Sequence, residues 1–319
     1  MVDAQAPRMR YRSILDDSGR WEGFAFRPSD VVISTPAKSG TTWTQMLCAL
    51  LIFDGPKFPA PRGDLSPWLD MCDCPLAEVT ADLSAQTHRR FIKTHTPLDG
   101  LPLHPDANYL VVGRDPRDVM ISWEHHDANM DIDYFLALRA AAVGNEDLAE
   151  LPAWRVPSED PVERFHSFVA DESSGLPPTL NSVLHHLDTG WQRRHEPNVA
   201  LFQYADLTAD LTGELLRLAR VLGIPCSPER ARELAAEASL SRMRERAAED
   251  ELARGSQGPG IWKAGVRAFF RSGGSGEWRA HLSAADLAAY EARVAALVDP
   301  DLAAWAHGGR LASGVDPER

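Results

Sequence analysis

The chain has 319 residues, of which 44% are hydrophobic, and its formal net charge is −13 at pH 7. This composition supplies enough apolar material for a large core and is unlike that of a disordered chain. The acidic balance argues against nonspecific nucleic-acid binding, which needs a basic face, but it allows a local basic pocket for an anionic ligand.

The N-terminal residues 1–21 contain no apolar segment of the kind found in signal peptides. The longest apolar run, residues 46–53, is shorter than the roughly 20 residues that cross a bilayer. The four cysteines are too sparse for a disulfide framework, and Cys72 and Cys74 lack a second Cys/His pair at zinc spacing. We therefore expect a cytoplasmic protein with reduced thiols, no transmembrane segment and no structural zinc.

The first predicted strand covers Val31–Ser34, a short β-branched run with polar flanks. A loop that contains Pro36 and Gly40 follows it, and residues 41–53 form a predicted helix. The apolar residues of this helix fall on one face at helical spacing: Trp43, Met46, Leu47, Leu50 and Leu51. A strand, a loop and a helix in this order are the usual context of a phosphate-binding loop, because a helix N-terminus presents unpaired N–H groups to an anion.

Further strands are predicted at residues 89–95, 108–113 and 198–204, with a helix at 210–223. Apolar strands that alternate with helices predict an α/β fold in which a P-loop-like parallel sheet is flanked by helices on both faces, within a single domain. Ligands of such sheets bind beyond the carboxyl ends of the strands. Four residues follow directly on predicted strands: Lys38, His95, Arg114 and Tyr204.

Residues 145–181 are rich in Pro, Gly, Glu, Asp and Ser and show weak periodicity. We predict a surface excursion or lid at 129–187, rather than a domain boundary. The histidine pairs 125–126 and 185–186 are adjacent in sequence, and neighbours on a helix do not share a face. No metal site is predicted there.

The segment "AKSGTTW" differs from a Walker loop, which ends in Gly-Lys-Ser/Thr. Here Lys38 precedes Ser39, Gly40 and the two threonines, so no Ser/Thr occupies the magnesium-ligand position. Three later segments are "FIKTHTPLDGLP", "VGRDPRDVMISW" and "FFRSGGSGEW". The four together, in this order over residues 31–278, resemble the motifs of the PAPS-dependent sulfotransferases (PAPS is 3′-phosphoadenosine 5′-phosphosulfate). The likeness is strongest to the actinobacterial glycolipid sulfotransferases.

The resemblance implies a donor site and a catalytic group, and no metal. His95 is then the general base that takes the acceptor's proton, Lys38 reaches the oxygen that bridges phosphorus and sulfur, and Lys93 adds positive charge to the transferring sulfuryl group. The released product is 3′,5′-ADP. The donor-binding residues that the resemblance implies are Lys38, Ser39, Gly40, Thr41, Thr42, Trp43, Arg114, Ser122, Tyr204, Ser239, Phe270, Arg271, Ser272 and Gly273.

Within this set, Arg114 and Ser122 match the residues that hold the 3′-phosphate, and Tyr204 and Ser239 match adenine and ribose contacts. Ser272 stands where the family has lysine, which removes one positive charge from the 3′-phosphate site. The dimer signature of the vertebrate relatives loses its acidic residue here, so the sequence leaves the oligomeric state open.

Two other functions stay open at this point. A P-loop nucleoside or small-molecule kinase would need Gly-Lys-Ser/Thr and a magnesium-holding carboxylate. A non-catalytic nucleotide-binding protein could share the fold, because a fold does not imply a function.

The partner is a small-molecule or lipid acceptor, expected on the side of residues 54–87 and 129–187. These residues mix apolar and aromatic side chains, which favours a glycolipid but leaves phenols, steroids and other lipophilic alcohols open.

Overall fold

A computed structural model describes five stretches of the chain: residues 4–151, 157–173, 176–254, 261–265 and 273–318. At its centre lies a sheet of four parallel strands, in the spatial order β2-β1-β3-β4. The strands are β1 (Val31–Ser34), β2 (Phe91–Thr94), β3 (Asn108–Gly113) and β4 (Val199–Gln203). In the register of the sheet, Val31 pairs with Phe91 on one side and with Asn108 on the other.

Helices cover both faces of the sheet, which confirms the predicted α/β class. The helices are α1 (Thr41–Ile52), α2 (Arg62–Leu65), α3 (Leu76–Ala85), α4 (Pro116–Asn129), α5 (Ile132–Ala142), α6 (Pro161–Ala170), α7 (Leu180–Trp191), α8 (Tyr204–Ala209), α9 (Leu211–Val221), α10 (Pro228–Glu237), α11 (Leu240–Arg254), α12 (Ala284–Leu297) and α13 (Pro300–Ser313). Within the described ranges, no helix is both long and apolar enough to cross a membrane.

Alternate residues of each strand face the two halves of the core, because successive side chains of a strand point to opposite faces. Val31 and Ile33 of β1 pack with α1, α9 and α10, while Val32 faces the cluster that includes α6, α7, α12 and α13. All four residues of β1 are buried. Burial on both faces is why these strands appear in the sequence as continuous apolar runs.

The bounds of the strands and of α1 agree closely with those predicted from the sequence. β1 and β3 have the predicted bounds, and α1 begins at the predicted residue and ends at Ile52, one residue earlier than predicted. β2 and β4 are shorter than the predicted strands at 89–95 and 198–204, and each loses one or two residues at both ends. Continuous apolar runs mark the buried middle of a strand, whereas its ends depend on which residues pair with the neighbouring strand.

The range 129–187, predicted as a surface excursion or lid, includes α6 and α7, and both helices contribute buried side chains to the core. Phe165 of α6 is 1% exposed, and Leu180, Leu184 and Leu187 of α7 are fully buried against the sheet. Among the described residues that suggested a lid, Pro157, Asp171 and Pro177 lie outside these two helices. The leucines of α7 follow helical spacing over less than three turns, so the surrounding polar composition masked them.

Candidate active site

The carboxyl edge of the sheet brings together the residues that follow the strands. A guanidinium N–H of Arg114 donates to the carbonyl oxygen of Lys38 at 3.1 Å, and the guanidinium lies 4.5 Å from the ring centre of Tyr204. On the other side of the loop, Nδ1 of His95 lies 2.7 Å from the carbonyl oxygen of Thr35. One site therefore contains all four residues that the sequence placed beyond strand ends.

The loop between β1 and α1 has the backbone shape of an anion cradle. Lys38 and Gly40 have φ values of 65° and 102°, and Gly40 caps α1 without a side chain. The first N–H groups of α1 therefore face the loop, together with the positive end of the helix dipole. The hydroxyl of Ser39 is buried, and Ser39 Oγ has no hydrogen-bond partner among the described residues. A buried hydroxyl without a partner fits a ligand oxygen.

Lys38 Nζ lies 3.3 Å from Nδ1 of His126, a residue of α4 that the sequence analysis gave no role. Burial, and secondarily the positive charge of Arg114, lower the pKa of Lys38 to about 7. Burial and the nearby Lys38 charge also lower the pKa of His126, to about 2, so this imidazole is neutral and accepts from the lysine. An anion that enters the loop would restore the full charge of Lys38.

His95 has its two ring nitrogens in different environments. Nδ1 donates to the Thr35 carbonyl, so in the neutral ring the lone pair is on Nε2. The Trp68 ring lies 4.7 Å from the imidazole. Burial first, and then the charges of Lys38 and Lys93, lower the pKa of His95 to about 4. This pKa lies below the ordinary histidine value of about 6.5, so the ring is neutral at neutral pH.

Lys93 lies in β2 and is partly buried, and Ile33 of β1 is its partner in the register. Its ammonium group is 4.8 Å from the ring centre of Trp68, which also contacts His95. Lys93 is therefore close enough to His95 to lower its pKa. Its action on a transferring sulfuryl group stays a prediction.

A buried carboxylate holds the turn that carries His95. Oδ2 of Asp70 accepts hydrogen bonds from the hydroxyls of Thr94 and Thr96, on either side of His95, and from the indole N–H of Trp21. Asp70 is 1% exposed. The sequence analysis missed Asp70, because its partners are 24 to 49 residues away in the chain and no local pattern joins them.

Tyr204 connects the loop to the C-terminal region. Its ring lies 5.3 Å from that of Trp43, and its hydroxyl donates to the carbonyl oxygen of Gly273 at 3.2 Å. The indole N–H of Trp43 donates to the carbonyl oxygen of Ala238 at 2.9 Å, which places Ser239 next to this aromatic pair. The structure thus places Ser239 beside an aromatic surface formed by Trp43 and Tyr204, and all three are predicted donor-binding residues.

Arg114 also donates to the carbonyl oxygen of Gly274 at 2.9 Å, while its buried Nε has no partner in the described part of the chain. Ser122 lies partly buried on α4. Thr41 Oγ1 lies 2.6 Å from Thr35 Oγ1, and Thr42 follows in the first turn of α1. Three predicted donor residues lie outside the described residues: Phe270, Arg271 and Ser272.

A cleft begins at His95 and runs between α7 and the N-terminal segment. Tyr11, Arg12 and Asp16 line one side, and α7 lines the other. The sequence predicted the contribution of α7, through 129–187, but not that of the N-terminal residues. No periodic pattern marks residues 11–16, and only the tertiary fold brings them to the site.

His186 of α7 lies at the inner end of this cleft. Ser34 Oγ donates to the carbonyl of Thr96 at 2.7 Å, so it accepts the N–H of His186 Nε2 at 2.9 Å. Burial lowers the pKa of His186 to about 3, which keeps it neutral. Among the described residues, no group of three or more His, Cys, Asp or Glu is placed to hold a metal ion.

Comparison with known proteins identifies the family to which this sequence is similar. A family model described as "Sulfotransferase domain" matches residues 28–299. A glycolipid sulfotransferase of Mycobacterium bovis (strain BCG / Pasteur 1173P2) is 48% identical over 324 residues, which cover 97% of this chain and 97% of the relative. A glycolipid sulfotransferase of Mycobacterium tuberculosis (strain ATCC 25618 / H37Rv) is 47% identical with the same coverage.

Two solved structures have a similar fold. Retinol dehydratase in complex with androsterone and the inactive cofactor PAP superposes with a TM-score of 0.65 at 23% identity, over 88% of this chain and 84% of that chain. A mouse sulfotransferase complexed with PAP has a TM-score of 0.65 at 18% identity, over 90% of this chain and 89% of that chain. At these identities the likeness establishes the fold.

Proposed function

Because this chain belongs to the sulfotransferase family, we propose that it transfers the sulfuryl group of PAPS to a hydroxyl or amine group of a lipophilic acceptor. We propose a glycolipid as the acceptor class, because relatives that are 47–48% identical over 97% of the chain are glycolipid sulfotransferases. The cytoplasmic location stays a prediction from the sequence.

The observation that carries the proposal is the arrangement of His95 beside the loop after β1. Its Nδ1 donates to Thr35, one residue after β1, so the free Nε2 lone pair lies where the loop and the cleft meet. A base at this position can accept a proton from a hydroxyl group in the cleft. Because its pKa is lowered to about 4, the base is unprotonated at neutral pH.

The donor site has the chemistry that a phosphosulfate requires. The N–H groups at the start of α1, and the Ser39 hydroxyl, which has no partner among the described residues, suit the oxygens of a 5′-phosphosulfate. Arg114 Nε, which has no partner in the described stretches of the chain, is a charged donor suited to the 3′-phosphate. Tyr204 and Trp43 offer aromatic faces to the adenine. When bound, PAPS supplies the sulfuryl group that is transferred.

Two residues of the chain act on charge during the transfer. Lys38 neutralises negative charge on the bridging oxygen, which grows as the S–O bond breaks, so its effect is largest in the transition state. His95 Nε2 receives the acceptor's proton while the acceptor oxygen forms its new bond to sulfur. Lys38 therefore stabilises the charge of the leaving oxygen, while His95 takes the proton of the acceptor.

The test is a screen with PAPS and acceptors from several classes, namely glycolipids, phenols, steroids and alkyl alcohols, with the mass of each product determined. A product heavier by one SO₃ group is expected with at least one lipophilic hydroxyl compound. Absence of sulfated product with every class would refute the enzymatic proposal.

Ligand-induced thermal stabilisation separates the alternatives. Binding to the folded state raises the midpoint of unfolding. We expect 3′,5′-ADP to raise it more than 5′-AMP, because only the former carries the 3′-phosphate that Arg114 is proposed to bind. A larger effect of Mg-ATP would instead favour the kinase. Stabilisation by 3′,5′-ADP without any turnover would favour a non-catalytic nucleotide-binding protein.

A further inference from the structure

Asp16 is a carboxylate in the wall of the cleft that also contains His95. It lies in the N-terminal segment, where Asp16 bridges to Met71 as a short strand pair. The hydroxyl of Ser13 donates to its Oδ1 at 2.5 Å. Among the described residues, Ser13 is the one side chain that donates a hydrogen bond to this carboxylate.

The charge of Asp16 is not neutralised by the arginines of its own segment. Arg10 pairs with Asp17 at 2.6 Å, and Arg12 pairs with Asp147 at 2.5 Å. Burial, followed by the buried Asp70, raises the pKa of Asp16 to about 7. A partly buried carboxylate that pairs with no cation among the described residues costs stability. A group of this kind, retained in a cleft beside a catalytic base, indicates a role in binding.

The same cleft also has an apolar part, although α7 brings Ser182 and two histidines to its wall as well. Pro36 and Ala37 come from the loop after β1, and Val183 comes from α7. An acceptor in this cleft therefore meets apolar surface as well as a carboxylate that accepts hydrogen bonds. A carboxylate accepts hydrogen bonds from neutral hydroxyl groups, at up to about four lone-pair positions, and it repels an anion.

We propose that Asp16 selects the acceptor by accepting hydrogen bonds from hydroxyl groups next to the one that loses its proton to His95. The acceptor class is then a neutral polyol with an apolar part, such as an alkyl glycoside headgroup, rather than a simple alcohol. Asp16 is a specificity-determining residue in this role. The inference rests on the proposed function, since it names the acceptor of the same site.

The test compares hexyl β-D-glucoside with 1-hexanol, which have the same alkyl chain, in wild type and Asp16→Asn at pH 8. This pH lies above the pKa of about 7, so the wild-type carboxylate is charged. We expect Asp16→Asn to lower kcat/KM for the glucoside by about 10- to 100-fold, the usual effect of losing a hydrogen bond to a charged group. For hexanol we expect a change below about twofold, because hexanol has no second hydroxyl.

Binding provides a second readout. With the protein saturated by 3′,5′-ADP, calorimetry should show weaker binding of hexyl glucoside to Asp16→Asn than to wild type, by a similar factor. Asp17→Asn is the matched control, because Asp17 is the neighbouring carboxylate, pairs with Arg10 and does not itself line the cleft. Asp17→Asn should leave the ratio of kcat/KM for hexyl glucoside to kcat/KM for hexanol unchanged. Unfolding curves check that both variants are folded.

The outcomes separate this inference from the proposed function. Equal losses on both acceptors would overturn selection and indicate a general catalytic role for Asp16. No loss on either, or a wild type that prefers hexanol, would also overturn it, while sulfuryl transfer itself would stand. A wild type that sulfates no hydroxyl compound would refute the proposed function, and this inference with it.

Discussion

Nδ1 of His95 donates a hydrogen bond to the carbonyl oxygen of Thr35, at a distance of 2.7 Å. Thr35 comes directly after β1, so this bond joins the end of β2 to the start of the loop between β1 and α1. The bond fixes the tautomer of the ring, because a carbonyl oxygen can only accept. The basic nitrogen, Nε2, is therefore the one available to a substrate.

His95→Asn should retain much of the side-chain volume and remove the base. We expect kcat to fall by roughly 10²–10⁴, the usual contribution of general base catalysis, with little change in the affinity for 3′,5′-ADP. The deficit should shrink with acidic phenols, which lose their proton more readily. The measurement is kcat over a series of phenols of graded pKa, with nucleotide affinity measured by calorimetry. A variant within a few-fold of wild type on an alkyl alcohol would exclude His95 as the base.

The pH dependence should show the lowered pKa of His95. A base works when deprotonated, so activity is lost as the pH falls through its pKa, here about 4 in the free protein. Between pH 6.5 and pH 5 we expect kcat/KM for the donor to stay nearly constant, whereas a histidine with a pKa of about 6.5 would lose most of its active form. Lys93→Gln should move the acid limb upward, because the Lys93 charge helps to lower this pKa. An acid limb near pH 6.5 in wild type would contradict the assignment.

Lys38 should take up a proton when a nucleotide binds. Its pKa is about 7 in the free protein, so at pH 8 the amine is mostly neutral, and an anion in the loop favours the charged form. Calorimetry of 3′,5′-ADP binding at pH 8, in buffers of different ionisation enthalpy, should show this uptake, and Lys38→Met should abolish it. The same variant should lose more in kcat than in nucleotide affinity. Uptake that persists in Lys38→Met would assign the proton to another group.

Gly40→Ala should impair nucleotide binding beyond the cost of backbone strain. Gly40 has φ +102°, and a Cβ there would lie 3.1 Å from Cδ2 of Tyr204, so the substitution crowds the proposed adenine surface. Gly223→Ala is the matched control, since Gly223 has φ +63° with no atom within 4 Å of the added Cβ. Both variants should lose about 1 kcal/mol or more of unfolding free energy. Only Gly40→Ala should weaken 3′,5′-ADP binding, and equal affinities in the two variants would place the nucleotide elsewhere.

Asp70→Ala should destabilise the protein and lower its activity. The substitution leaves the donors of Thr94, Thr96 and Trp21 without their buried acceptor, at about 1–3 kcal/mol for each unsatisfied group. We expect a loss of unfolding free energy of at least about 2 kcal/mol in urea. Asp70→Asn keeps an acceptor oxygen and should lose less. Unchanged kcat in a folded Asp70→Ala variant would show that this carboxylate does not position His95.

Local sequence patterns determined the central sheet and the phosphate loop. Short apolar runs predicted β1 and β3 to the residue, since a strand buried on both faces needs mostly apolar side chains. The order of strands and helices placed Lys38, His95 and Arg114 at one edge, because parallel strands all end on the same side. These conclusions needed only periodicity, turn chemistry and the order of elements.

The tertiary structure alone decided what surrounds those residues. Asp70 and His126 contact the site through pairings of distant segments, for which the sequence carries no local signal. Asp16 reaches the cleft because the irregular N-terminal segment packs beside Met71. The lowered pKa of His95 is also a tertiary property, because removal from water and the charge of neighbouring lysines arise only when the chain has folded.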